Sequence, residues 1–167
     1  YRLRTEPTVW RVSEHRIETH HGNFRAVIYE DGELKQVHMA LVHGHVSADR
    51  PTVVRVQTHR GVYDMLSETR ELYSWSVDSA LGRIASEESG ILVLLTYSED
   101  AAQLDRRLRG EIAEEGQQRE LRMLGAGSQI LSDLGAGKVR VLGTPLRTRA
   151  LSGFGLEVIE YVPGTES

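Results

Sequence analysis

The sequence contains no cysteine, which excludes disulfides and any metal site built from thiolates. It has no apolar run near the roughly 20 residues that a membrane helix needs, and no recognisable signal segment. Neither sign of charge dominates: 20 Lys and Arg face 24 Asp and Glu, for a net charge of −4. Nothing therefore argues for a nucleic-acid or membrane surface. No internal repeat and no low-complexity tract breaks the pattern. A cytoplasmic location, with neither nucleic acid nor membrane as partner, is the expectation.

What the chain does have fits one soluble globular domain. It is 167 residues long, 40% hydrophobic and 26% charged, enough to bury roughly two-thirds of the surface that the unfolded chain exposes. The chain opens at Tyr1 rather than Met, and "YRLRTEPTVW" reads as a linker arriving from an upstream domain. The expected organisation is a linker at 1–10, a domain at 11–163 and a tail at 164–167.

Periodicity supplies the elements. "WRVSEHRIET" alternates loosely, with Val12 and Ile17 marking a strand. "FRAVIY", a turn at Asp31 and Gly32, and "VHMALVHG" read as a hairpin. "PTVVRVQTH" is a strand opened by Pro51. Val77, Leu81 and Ile84 have helical spacing, closed by Gly90. "ILVLLTY" is a continuous apolar run, as in a strand covered on both faces. "EDAAQLDRRLRGEIAEEG" reads as one amphipathic helix with Leu104, Leu108 and Ile112 on a stripe. "RELRMLGAGSQILSDLGAG" is a second helix with Gly125 and Gly127 early in it, and Gly135 or Gly137 able to cap its end. "KVRVLG" is a strand, "TPLRTRALSGFG" a turn with a short helix, and "LEVIEYVP" the last strand. The expectation is an α/β fold with mixed sheets. Its N-terminal half is hairpin-rich, and its C-terminal half alternates strand and helix with parallel pairing.

One connection is unusual. Between "RVQTH" and the helix at Val77 the chain runs through "RGVYDMLSETRELY", long and irregular for a compact domain, and such loops are usually functional or disordered.

Several blocks resemble the GTP cyclohydrolase II family, in the right order and over nearly the whole domain. "LRMLGAGSQILSDLGAGKVRVL" and "FGLEVIEYVP" are similar to that family's C-terminal part, and "VHMALVHGHVS" with "PTVVRVQTH" to its upstream strands. "YRLRTEPTVWRVSE" resembles the junction of fused proteins in which 3,4-dihydroxy-2-butanone 4-phosphate synthase precedes the cyclohydrolase domain. The resemblance implies that the long loop is where the family holds its catalytic zinc with three cysteines. Laid on this chain, those positions are Arg60, Glu71 and Tyr73. Arg60 is a permanent cation and no ligand, Tyr73 is a poor one, and Glu71 alone cannot hold zinc. Gln57, Thr58 and His59 stand before them, and Asp64 and Arg70 survive.

A second block, basic in the family, reads "LLTYSEDAAQL" here, and Glu99 and Asp100 are expected to repel a triphosphate. In a third block Glu120 and Arg122 keep their charge types and a tyrosine gives way to Leu124. In a fourth Arg147 is kept and a lysine becomes Thr148. Arg70, Glu120, Arg122 and Arg147 are thus the candidate residual nucleotide-binding residues, and no metal, cofactor or catalytic residue is expected.

Other candidates read more simply. His43 and His45 would share a strand face, a potential metal pair, but a solvated strand end accounts for them. His20 and His21 point to opposite sides of a hairpin. His59 with Glu71 is a candidate salvaged metal site, with ordinary exposed side chains the simpler reading. "GAG" at 125–127 could cradle a phosphate at a helix N-terminus, although close packing explains it better. "RRLR" at 106–109 reads as a solvated helix face.

The resemblance implies a non-catalytic GTP cyclohydrolase II-like domain of a riboflavin-biosynthesis protein. It would be the C-terminal part of a 3,4-dihydroxy-2-butanone 4-phosphate synthase fusion, with a dimerising or regulatory role. The expected partners are a second copy in a homodimer and the upstream synthase domain, with a nucleotide sensed without turnover as a candidate ligand. The alternative is an active GTP cyclohydrolase II with an altered, zinc-free site.

Overall fold

The computed structural model describes residues 7–33, 35–65, 75–111, 114–144 and 154–164. Within them the chain forms β1 (Val9–Thr19), β2 (Gly22–Asp31), β3 (Gln36–Gly44) and β4 (Thr52–His59). α1 (Val77–Ala85), β5 (Ser89–Thr96), α2 (Ala101–Leu108), α3 (Glu114–Asp133), β6 (Lys138–Leu142) and β7 (Glu157–Val162) follow. The strands make a seven-stranded sheet in the order β1-β2-β3-β5-β4-β6-β7. The first three pair antiparallel as hairpins. β4 pairs parallel with both β5 and β6, and β6 with β7. The expected α/β class and the split between a hairpin half and a parallel half are both present. β1 starts at Val9, two residues before the expected domain boundary, and Val9 is buried in the core.

Alternation explains how one sheet feeds two cores. In β5, Ile91, Val93 and Leu95 face α3 and pack with Met123, Ala126, Ile130 and Leu131. Leu92 on the opposite side of the same strand packs with Ala80, Leu81 and Ile84 of α1. A strand covered on both faces needs this unbroken apolar run. Fully burying each such side chain stabilises by roughly 1.5–3 kcal/mol.

Two helix expectations change. The charged segment after β5 is two helices, not one. α2 starts at an Asp100 cap, whose carboxylate accepts the Gln103 amide while the Gln103 side chain returns to the Asp100 amide. It stops at Leu108, and Gly110 follows at φ +80°, a conformation that ends a helix at little cost only for glycine. α2 buries none of its residues and Leu108 is exposed, so the expected apolar stripe does not form a core face. α1 ends at Ala85 with Ser86 as its cap, and Gly90 lies in β5 instead. α3 ends as expected at Gly135, where the amides of Gly135 and Ala136 turn back to the Ser132 and Leu131 carbonyls. Of the turn and short helix expected at 144–155, residues 145–153 fall outside the described residues.

Candidate functional site

The topology singles out one edge of the sheet. β4 is followed by α1, which packs on one face, and its neighbour β5 by α2 and then α3, which packs on the other. Where adjacent parallel strands send their connections to opposite faces, a crevice opens beyond their carboxyl ends. At these two strand ends stand the described residues that follow His59 in β4 and Thr96 in β5. These include Arg60 and Asp64, which the sequence placed in the loop of interest, and Glu99.

The chain's own groups join the two exits. The Tyr97 amide donates to the His59 carbonyl and the Glu99 amide to the Arg60 carbonyl, both at 3.2 Å, so the two exits zip together past the end of the ladder. The Arg60 amide donates to Asp64 Oδ2 at 2.6 Å. The Asp64 amide donates to the Gly61 carbonyl, within a 3-10 turn at Val62–Met65. Arg107 enters from α2 and donates to Asp64 Oδ1 at 2.8 Å and to Glu99 Oε1 at 2.7 Å. The Glu99 side chain is only 8% exposed. Burial works against the Arg107 charge, but the hydrogen bonds to Glu99 and Asp64 outweigh it, so its pKa lies above the ordinary value. Arg119 of α3 lies over the Tyr97 ring, 5.3 Å from its centre.

The far end of the long connection is pinned as well. Arg55 of β4 donates to the carbonyls of Trp75 and Leu142 at 3.1 and 2.9 Å. The Trp75 indole donates to the Val162 carbonyl at 2.8 Å. Both ends of the family loop are therefore tied to the sheet through polar side chains.

Several sequence expectations meet this geometry differently. Glu99 and Asp100 do not face an open crevice as bare charge: Glu99 is neutralised by Arg107 and Asp100 caps α2. "RRLR" is not wholly a solvated face, because Arg107 turns inward. Gly125 and Gly127 lie in the middle of α3, so their amides are spent inside the helix and cannot cradle a phosphate. A Cβ on Gly127 would sit 3.1 Å from Val56 Cγ1, whereas one on Gly125 would meet nothing within 4 Å. Close packing thus accounts for one glycine of the pair. Leu124 packs against the core and Arg122 is exposed on α3. Glu120 is in α3, but its side chain lies outside the described residues, as do Arg70, Glu71, Tyr73 and Arg147.

The histidines resolve in the same way. β3 ends at Gly44, so His43 is in the strand and His45 is not, and the shared strand face is lost. His43 instead stands with its ring 5.9 Å from that of Phe24. His21 pairs with Asp78 at the start of α1, 2.9 Å away, and His20 is exposed. His59 is exposed at the end of β4.

The family's zinc can be tested against these donors. Among the described residues no three His, Cys, Asp or Glu side chains converge. The two carboxylates of the crevice already share a guanidinium, and a cation stands at Arg60. The described donor set does not fit zinc.

Sequence reasoning missed the buried pair His38 and Asp31. His38 Nδ1 accepts the Thr96 amide at 3.1 Å, which places its proton on Nε2, facing Asp31 Oδ2 at 3.1 Å. The strand alternation held the signal, since His38 shares a face with buried Ala40 and Val42. Arg107 had none, because Asp64 is 43 residues away.

Over residues 10–163 the chain matches GTP cyclohydrolase II. It belongs to the GTP cyclohydrolase II family. Among its relatives is a 3,4-dihydroxy-2-butanone 4-phosphate synthase of Pseudomonas syringae pv. tomato, 39% identical over 98% of this chain and 46% of that protein. The riboflavin biosynthesis protein RibBA of Chlorobium phaeovibrioides is 35% identical over 98% of this chain and 43% of its own length. A solved structure, RibBX, a two-domain 3,4-dihydroxy-2-butanone 4-phosphate synthase from A. baumannii, superposes with a TM-score of 0.64 at 34% identity. The superposition covers 95% of this chain and 41% of that one. The chain thus spans less than half the length of these relatives. Its mixed seven-stranded sheet is consistent with that family's fold. Among the described residues no helix is long and apolar enough to cross a membrane.

Proposed function

We propose that this chain is a non-catalytic GTP cyclohydrolase II-like domain of a riboflavin-biosynthesis protein. In this reading it is attached to a 3,4-dihydroxy-2-butanone 4-phosphate synthase in the cytoplasm and serves that partner as a dimerising or regulatory module. One observation carries the proposal: where the family's thiolates belong, Arg60 stands, and the nearby carboxylates Asp64 and Glu99 are committed to Arg107. Opening the imidazole ring of GTP needs an activated water and a polarised carbon. Without the metal, several kcal/mol of transition-state stabilisation are missing.

The test is direct. Purified protein, incubated with GTP, should release no formate above a heat-killed control, and elemental analysis should find no stoichiometric zinc. Formate release that follows the protein through purification would overturn the reading. About one zinc per chain, lost on His59→Ala or Glu71→Ala, would do the same. Arg60→Cys, Glu71→Cys and Tyr73→Cys together should recover zinc binding but little activity, because "LTYSEDA" does not rebuild a triphosphate site. Calorimetry with GTP separates a sensing role from a purely structural one. Binding that weakens on Arg70→Ala, Arg122→Ala or Arg147→Ala would favour sensing.

A further inference from the structure

α2 sends no side chain fully into the described core. None of its residues is buried, and Leu108 points outward, 59% exposed. A helix of eight residues is too short to hold its shape by propensity alone, so something else must seat it. Gln103, Leu104 and Arg107 are its half-buried residues, and the Arg107 guanidinium ends between two carboxylates from different segments. Asp64 belongs to the turn after β4 and Glu99 to the exit from β5. The side chains of Arg107, Asp64 and Glu99 are 22%, 19% and 8% exposed. Asp64 also accepts the Arg60 amide, and the Glu99 amide donates to the Arg60 carbonyl. Guanidinium, carboxylates and the Arg60 backbone therefore form one closed circuit joining β4, β5 and α2. A guanidinium suits this place because its two terminal nitrogens can serve two acceptors at once from a fixed plane, which an ammonium cannot do.

We propose that α2 is a strap across the carboxyl ends of β4 and β5, and that Arg107 is its clamp. The chain's own guanidinium sits between two carboxylates at the strand ends, and releasing it frees α2 and the turn after β4. The inference is independent of whether the domain turns over GTP. Removing the guanidinium would leave Glu99 and Asp64 facing each other in a poorly hydrated place, so the strap and the turn should loosen together while the sheet stays closed.

Amide hydrogen exchange on the 167-residue chain tests this. Arg107→Ala should speed exchange at Asp64, Glu99 and Leu104 by about tenfold or more, a local opening, with Val54, Leu92 and Val93 unchanged. Guanidinium chloride at low millimolar concentration should restore much of the protection at Asp64 and Glu99, and sodium chloride at the same ionic strength should not. Wild-type protection at Asp64 and Glu99 in the variant would overturn the proposal, and so would equal rescue by sodium. Should Arg107→Ala unfold the whole domain, Arg107→Lys decides: the clamp requires a partial loss confined to the same amides, and unchanged exchange there overturns it.

Discussion

Tyr29 shows how much one buried hydroxyl contributes here. It lies in β2 beneath the end of α3 and donates to Asp133 Oδ2 at 2.6 Å, and Arg11 of β1 binds the same carboxylate. Burial, then the bond to Asp133, pushes the Tyr29 pKa well above its ordinary value. The sign follows. The folded protein keeps this proton where the unfolded chain releases it, so the contribution is whole below about pH 10 and is lost as pH rises beyond it. Tyr29→Phe should cost ~1 kcal/mol at neutral pH and flatten the alkaline fall, as read by urea unfolding across that range. His38 offers a second case. Both of its ring nitrogens are engaged and Asp31 is 2% exposed. His38→Ala should destabilise by about 2–4 kcal/mol in urea, through a cavity and a lost donor to a buried carboxylate. The two residues differ in legibility. His38 was readable as an inward position of an alternating strand, whereas Tyr29 and Asp133 meet across 104 residues with no local pattern linking them.

Among the elements, α3 is the most informative. The helix itself and the glycine that ends it were legible, while its stripe of Met123, Ala126, Ile130 and Leu131 comes from the packing. Where it begins was not, because its first turns, "EEGQQRE", are polar and charged and offer no apolar period. The two internal glycines can be separated experimentally. Gly125→Ala meets open space and should raise stability by up to ~1 kcal/mol through helix propensity. Gly127→Leu must push into Val56 and Leu95 and should lower it by about 1–3 kcal/mol. Thermal unfolding of the two variants should move the midpoint in opposite directions, and equal shifts would contradict the close approach of α3 to β4. α2 was misread because Leu104 and Leu108 have helical spacing whether or not anything lies beneath them. A short amphipathic pattern gives a helix but not its packing partner.

For the molecule as a whole, the question is what covers its edges. The apolar strands β4 and β5 are interior, and the edges are β1 and β7, so long apolar strands give no reason for dimerisation. The dimer stands as a proposal on the family resemblance, and light scattering at micromolar concentration should report twice the mass of one chain. A monomer over a wide concentration range would reject it. The sequence by itself determined the class of fold, because alternation and helical spacing are local and survive reading one residue at a time. It also determined that the family's thiolate chemistry is impossible, because that depends only on residue type. Only the tertiary structure decided that β5 inserts between β3 and β4, since backbone ladder bonds are indifferent to side-chain identity and strand order is set by how the crossovers pack. The same holds for the crevice. Arg107, Asp64 and Glu99 are unremarkable charges along the chain, and they become one site because the exits of β4 and β5 bring distant segments within hydrogen-bond reach, where burial makes their pairing obligatory.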